Sequence, residues 1–161
     1  FFFKQKTAYE ISTRDWSSDV CSSDLPVAFA MESHLEHFLV ANWPQTVFAN
    51  DFTIFEEDGE QVGKQYETDA GRIDVLAVSK DKKTYLVIEL KKGRASDVVV
   101  GQILRYMGFV KGELAVNGES VKGLIIALED DLRLRNALKM IEDVDFSRYE
   151  IDFKLVPVKL N

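Results

Sequence analysis

Two apolar runs in the middle of the chain, at 72–79 and 84–91, form its clearest hydrophobic pattern. Each run is rich in Val, Ile and Leu, and the charged residues 80–83 separate them. Short apolar runs that end at turn residues are typical of buried β-strands. We therefore predict that 71–93 forms a hairpin of two core strands, around which the rest of the chain is organised.

The segments before and after this hairpin follow helical or strand periods. Three stretches with apolar residues at helical spacing are predicted to be helices: 31–42, 97–112 and 130–141. The buried face of the first helix is predicted to carry Leu35, Phe38 and Leu39. Further strands are predicted at 51–56, 62–67, 122–128 and 149–156, with loops at 92–95 and 116–121. This order indicates an α/β fold with a central mixed β-sheet flanked by helices.

Two carboxylates interrupt the apolar strands of the hairpin. Asp74 lies in the first strand and Glu89 in the second, and a buried charge without a partner is costly. Because side chains alternate along a strand, Glu89 and Lys91 share one face while Leu90 points to the other. An aspartate and a Glu-x-Lys triplet are thus predicted to converge at one end of the hairpin.

This arrangement resembles the signature of the PD-(D/E)XK nuclease superfamily, with Asp74 and Glu89 as the acids and Lys91 as the lysine. Ile73 stands where the signature has its proline, which members of the superfamily often lack. The order of two apolar strands and a following helix resembles the nuclease domain of the NucS-type endonucleases over residues 32–128. The resemblance implies a restriction-endonuclease-like core and the metal-dependent hydrolysis of DNA by an endonuclease.

A divalent cation is the cofactor that this resemblance implies. Mg²⁺ prefers oxygen ligands and usually takes only one or two carboxylates from the protein. The implied ligands of Mg²⁺ or Mn²⁺ are Asp74, Glu89 and the backbone carbonyl of Leu90. Lys91 would orient or deprotonate the attacking water, or stabilise charge on the phosphate. Its position beside two acids favours the charged ammonium, which supports the stabilising role, although the sequence leaves both open.

The resemblance also implies site residues on two helices. The first helix of the family carries an E-x-x-L motif whose glutamate faces the active site, which corresponds to Glu32 with Leu35 here. Glu36, one helical turn later, is the alternative. Gln102 and Tyr106 are also one turn apart and share a stripe of the later helix. In the family this pair borders the scissile phosphate. The alternative is that the two side chains have no functional role and are partly buried, with their polar ends in solvent.

The overall charge argues against a nucleic-acid partner. The formal net charge is −7, and an acidic domain is not an obvious nucleic-acid binder. Basic residues are nevertheless concentrated around the hairpin, at Lys82, Lys83, Lys91, Lys92, Arg94 and Arg105. DNA is the partner that the resemblance implies, and the sequence leaves open whether the target is DNA or RNA. The alternatives are a non-catalytic nucleic-acid-binding module of the same fold and a purely structural network of acids and lysine.

Residues 1–25 are expected to be non-native. The stretches FFFKQKTAYEI and DWSSDVCSSDL read as the translation of a sequencing-library adapter, and they lack the apolar core of a signal peptide. The only cysteine, Cys21, lies in this segment, which excludes disulfide, zinc-thiolate and cysteine-nucleophile chemistry from the rest. We expect 1–25 to be disordered and 26–161 to form a single nuclease-like domain.

Location and assembly follow from similar expectations. No apolar run approaches the roughly 20 residues that cross a bilayer, so we expect a cytoplasmic protein with no membrane partner. NucS-type enzymes carry an additional N-terminal DNA-binding and dimerisation domain, for which a single domain leaves no room. The resemblance therefore does not imply mismatch specificity, and a homodimer is an assembly to be tested.

Overall fold

The described residues of this computed structural model, 31–151 and 155–158, form a mixed sheet with helices on its two faces. The helices are α1 (Glu32–Ala41), α2 (Val98–Glu113) and α3 (Leu132–Leu138), with 3₁₀ turns at Trp43–Gln45 and Val47–Asn50. The strands are β1 (Phe52–Ile54), β2 (Glu56–Glu57), β3 (Glu60–Gln61), β4 (Lys64–Thr68), β5 (Gly71–Ser79), β6 (Thr84–Ala95), β7 (Ser120–Asp130) and β8 (Val144–Arg148). The predicted adapter-derived segment lies outside the described residues. Among the helices described, none is long and apolar enough to cross a membrane.

The predicted hairpin forms the centre of the sheet. Strands β5 and β6 pair antiparallel, β6 pairs parallel with β7, and β7 pairs parallel with β8. Strands β1 and β4 both pair antiparallel with the outer edge of β5, one at each end. Strands β2 and β3 form a separate small hairpin. The α/β fold with a central mixed sheet between helices, predicted from the sequence, is confirmed.

Apolar side chains cover both faces of this sheet. Val87 belongs to the cluster that packs under α2, whereas its neighbour Ile88 belongs to the cluster that includes Leu35 of α1. Because successive side chains of a strand point to opposite faces, the two clusters lie on opposite faces of β6. The buried stripe of α2 consists of Val99, Val100, Ile103, Tyr106, Met107 and Val110. Burial on both faces explains why the hairpin strands are almost continuously apolar.

The predicted final strand at 149–156 was wrong. Among the described residues the last strand is β8, at Val144–Arg148. Residues 149–151 and 155–158 are not in a strand, and 152–154 lie outside the described residues. Val144 and Phe146 supply the apolar residues that β8 packs onto the α2 face. The Tyr149 backbone N–H still donates to the Ala127 carbonyl, and its hydroxyl donates to the Lys92 carbonyl. Tyr149 therefore bonds the segment after β8 to β7 and β6, in the region where a strand was predicted.

Three smaller predictions also need correction. The predicted loop at 92–95 continues β6 to Ala95, with an irregularity in the β6–β7 register between Lys91 and Arg94, because the buried Ala95 joins the core. Phe38, predicted to be buried, is 55% exposed, since Leu35 is the residue that α1 buries against the sheet. The third helix ends at Leu138, three residues before the predicted end.

Candidate active site

The two acids of the hairpin lie where β5 and β6 separate. The antiparallel pairing of these strands ends at Val75 and Ile88, so Asp74 and Glu89 are the next residues along the same register. Side chains at opposite positions of an antiparallel pair leave the same face, and like charges there repel. The Leu90 backbone N–H donates a hydrogen bond of 2.8 Å to Asp74 Oδ2. The Asp74 carboxylate thus replaces a backbone carbonyl as the acceptor for the Leu90 N–H. This hydrogen bond links the two strands at the open end of the hairpin, where their regular pairing stops.

Lys91 pairs with Glu89, in agreement with the predicted placement of both side chains on one face. Its Nζ donates to Glu89 Oε1 at 2.8 Å, and it lies 3.8 Å from Glu32 Oε2 on α1. Glu89 is only 1% exposed, and within the described residues its second oxygen, Oε2, has no hydrogen-bond partner. One buried oxygen of Glu89 therefore remains available to a ligand.

Burial and charge shift the pKa values of all three groups. Burial raises the pKa of Asp74 to about 6, although the Leu90 hydrogen bond and Lys91 oppose this rise. Burial and repulsion by Asp74 raise the pKa of Glu89 to about 7. Burial alone would lower the pKa of Lys91, but the hydrogen bond and charge of Glu89 outweigh it and raise that pKa. Lys91 is therefore an ammonium at neutral pH, beside acids that are costly to ionise.

Helix α1 brings two glutamates to this site, and they differ in burial. Glu32, the residue preferred from the sequence, has a side chain that is 47% exposed and approaches Lys91. Glu36 is 3% exposed, and its Oε2 accepts a hydrogen bond of 3.0 Å from Gln65 Nε2. Its charge also contributes to the raised pKa of Asp74. Both glutamates therefore lie at the candidate site, and Glu36 is the more buried of the two.

Gln102 and Tyr106 are hydrogen-bonded to each other. Gln102 Nε2 donates to the Tyr106 hydroxyl at 3.2 Å, and Tyr106 is 5% exposed. The tyrosine ring lies against Gly71, which has φ +119°, and a Cβ on Gly71 would lie 3.1 Å from the hydroxyl. Since Gly71 begins the strand that carries Asp74, the pair lies beside the site. The structure thus brings together Glu32, Asp74, Glu89 and Lys91, with this pair at the border.

The donor groups fit the cation that the resemblance implies. Within residues 31–151 and 155–158, no three His, Cys, Asp or Glu side chains are grouped to form a complete metal site. Mg²⁺ needs no such group, because it commonly takes one or two carboxylates and keeps several waters. The unpartnered Glu89 Oε2 and the mutual repulsion of the two acids are both features that a cation would relieve. Asp74, Glu89 and the Leu90 carbonyl would hold it.

Comparison with known sequences identifies the family. The profile of the endonuclease NucS C-terminal domain matches residues 40–155 of the 161. The chain belongs to this family. Two relatives are the endonuclease NucS of Methanocaldococcus jannaschii, 26% identical over 104 residues, and that of Methanopyrus kandleri, 30% identical over 115 residues. These matches cover 65% and 71% of this chain but only 38% and 40% of the relatives.

Solved structures share the fold of this chain. A repair endonuclease from Pyrococcus abyssi has a TM-score of 0.59 at 24% identity, covering 77% of this chain and 49% of the other. EndoMS in a complex with double-stranded DNA has a TM-score of 0.60 at 18% identity, covering 83% of this chain and 50% of the other. At these identities the likeness establishes the fold, which agrees with the mixed sheet described above.

Two residues near the candidate site were harder to find from the sequence. Glu36 was the second choice, and its spacing of one helical turn from Glu32 was the only signal. Gln65 was not singled out, because its contact with Glu36 depends on a backbone φ of +49°. Glutamine rarely adopts that conformation, so no local pattern indicates it.

Glu89→Gln is expected to stabilise the metal-free domain at pH 8 by about 1 to 3 kcal/mol, since each pKa unit corresponds to about 1.4 kcal/mol. The folded pKa of Glu89 is about 7, above its ordinary value of 4.5. The contribution of the neutral carboxyl is therefore complete below pH 4.5 and is lost as the pH rises through 7. Glutamine stays neutral, so its advantage should largely disappear by pH 5. Urea unfolding of both proteins in chelator at pH 5 and pH 8 measures this, and an equal gain at both pH values would contradict it.

Proposed function

We propose that this domain is a metal-dependent endonuclease that hydrolyses phosphodiester bonds in DNA. The observation that carries the proposal is the pair of carboxylates at the open end of the hairpin, with Lys91 bonded to Glu89. Membership of the endonuclease NucS C-terminal domain family supports nuclease chemistry. The fold it shares with EndoMS, which is known in complex with double-stranded DNA, supports DNA as the polymer.

Different residues of the site would contact the cation, the attacking water and the phosphate. Asp74 and Glu89 would hold the cation, which when bound polarises the phosphate and makes its water more acidic. Lys91 carries a raised pKa and therefore acts as a fixed positive charge for the phosphate oxygens rather than as a base. Glu36 has an oxygen, Oε1, without a hydrogen-bond partner among the described residues. That oxygen would accept a hydrogen bond from the attacking water.

Gln102 and Tyr106 would orient the phosphate. Because the Tyr106 hydroxyl already accepts a hydrogen bond from Gln102, its own hydrogen is free to be donated to an incoming oxygen. A donor that is held in place by its neighbour requires little reorganisation when negative charge develops on the phosphate. Burial of the tyrosine ring against Gly71 fixes the direction of that donor.

A cleavage assay with the purified protein tests this proposal. Branched, mismatched, single-stranded and double-stranded DNA are incubated with Mg²⁺, Mn²⁺ or a chelator. We expect cleavage of at least one substrate with either metal and none with the chelator. Binding without cleavage would favour the non-catalytic module. If the protein neither binds nor cuts, the acid–lysine cluster is structural.

A further inference from the structure

Strand β4 contains an irregular residue directly beside Asp74. The β4–β5 register pairs Lys64 with Val75 and Tyr66 with Ile73, but it omits Gln65, the residue opposite Asp74. Gln65 has φ +49°, a left-handed conformation that is unfavourable for residues with a side chain. Non-glycine residues held in this region occur where the surrounding structure requires them, often at functional sites.

This conformation redirects the Gln65 side chain. In a regular strand, Lys64 and Gln65 would point to opposite faces of the sheet. Here both reach the same carboxylate, with Gln65 Nε2 at 3.0 Å from Glu36 Oε2 and Lys64 Nζ at 3.5 Å from Glu36 Oε1. The irregular backbone therefore places the Gln65 amide within hydrogen-bond distance of the buried Glu36 carboxylate on α1.

An amide has a chemical advantage at this position. A buried carboxylate needs hydrogen-bond donors, and Gln65 supplies one without adding a positive charge. The other oxygen of Glu36, Oε1, has no hydrogen bond within the described residues and lies 3.5 Å from Lys64 Nζ. Gln65 thus fixes one oxygen by a hydrogen bond, while the other keeps the capacity to accept one.

We propose that Gln65 is a positioning residue, whose left-handed backbone and side-chain amide hold the Glu36 carboxylate beside Asp74. The role rests on the proposed nuclease function, and Gln65 acts only through Glu36. In the same row of the sheet, Gln65, Asp74 and Glu89 occupy consecutive positions on β4, β5 and β6. The β4–β5 pairing omits Gln65 and Asp74, and the β5–β6 pairing omits Asp74 and Glu89. The interruption of regular strand pairing at Asp74 and Glu89 therefore includes Gln65 on β4.

Gln65→Gly and Gln65→Met separate the two parts of this role. Glycine accepts φ +49° without strain but has no amide, whereas methionine keeps the length of the side chain and the backbone strain. We expect kcat to fall about 10- to 100-fold in both variants, the range typical of groups that orient ligands, with an unchanged KM for DNA. In chelator, the unfolding midpoint of the glycine variant should exceed that of the methionine variant. Gln61→Gly, at an exposed residue of β3, is the matched control and should leave kcat unchanged.

The outcomes distinguish this inference from the function on which it rests. A wild-type domain that cuts no DNA would overturn the proposed function and this role with it. A wild type that cuts, together with a fully active Gln65→Gly variant, would overturn the positioning role alone. A glycine variant less stable than the methionine variant would show that the backbone of Gln65 is not strained.

Discussion

Replacing Asp74 by asparagine is expected to reduce metal-dependent cleavage of DNA by about 100-fold or more, the scale seen when one group that stabilises the transition state is removed. The substitution is nearly isosteric, and the amide oxygen can still accept the hydrogen bond that the Leu90 N–H donates to Asp74. The geometry of the open hairpin should therefore survive. What is lost is the negative charge and the carboxylate ligand for the cation.

The binding of DNA provides the second measurement in the same experiment. Removing a carboxylate reduces the repulsion of phosphate, so affinity for DNA should be unchanged or higher in Asp74→Asn. Asp69→Asn is the matched control, because Asp69 is exposed and its substitution makes the same change in charge close to the site. This control should cut at the wild-type rate. A parallel loss of cleavage and binding in Asp74→Asn would instead indicate that Asp74 maintains the fold.

The hairpin and its acids could be predicted from the sequence because both depend on local patterns. Two apolar runs around a charged turn define the strands, and alternation alone places Glu89 and Lys91 on one face. The antiparallel register then brings Asp74 to the position next to Glu89. The ion pair between Lys91 and Glu89 follows from the same spacing.

Other parts of the site depend on contacts between distant segments, and local patterns do not reveal them. The conformation of Gln65 makes sense only once β4 lies against β5 and α1 presents Glu36. Alternation at 149–156 has the period of a strand, but the edge of β7 is already occupied by β8. Pairing with a neighbouring strand decides whether a periodic segment becomes a strand, and the period itself does not show that pairing.

Gly63→Ala is expected to lower the free energy of unfolding by about 2 to 3 kcal/mol, in the range measured for groups forced into filled space. Gly63 lies where β1 ends and β4 begins along the shared edge of β5. A Cβ at this residue would overlap the Leu76 carbonyl oxygen and lie 2.8 Å from the Phe55 nitrogen. Both neighbours are backbone atoms, which cannot move aside as the end of a side chain can. The Gly63 N–H also donates to the Phe55 carbonyl, and its own carbonyl accepts from the Leu76 N–H.

Thermal unfolding of Gly63→Ala and of a matched glycine variant measures this effect. A loss of about 10 °C in Tm is the expected result for a domain of this size. Gly108→Ala is the control, since Gly108 lies in α2 with no atom within 4 Å of its added Cβ. Alanine stabilises a helix relative to glycine by about 0.5 to 1 kcal/mol, so this variant should melt at a slightly higher temperature. Equal Tm values for both variants would contradict this prediction. They would mean that the backbone around Gly63 has room for a Cβ.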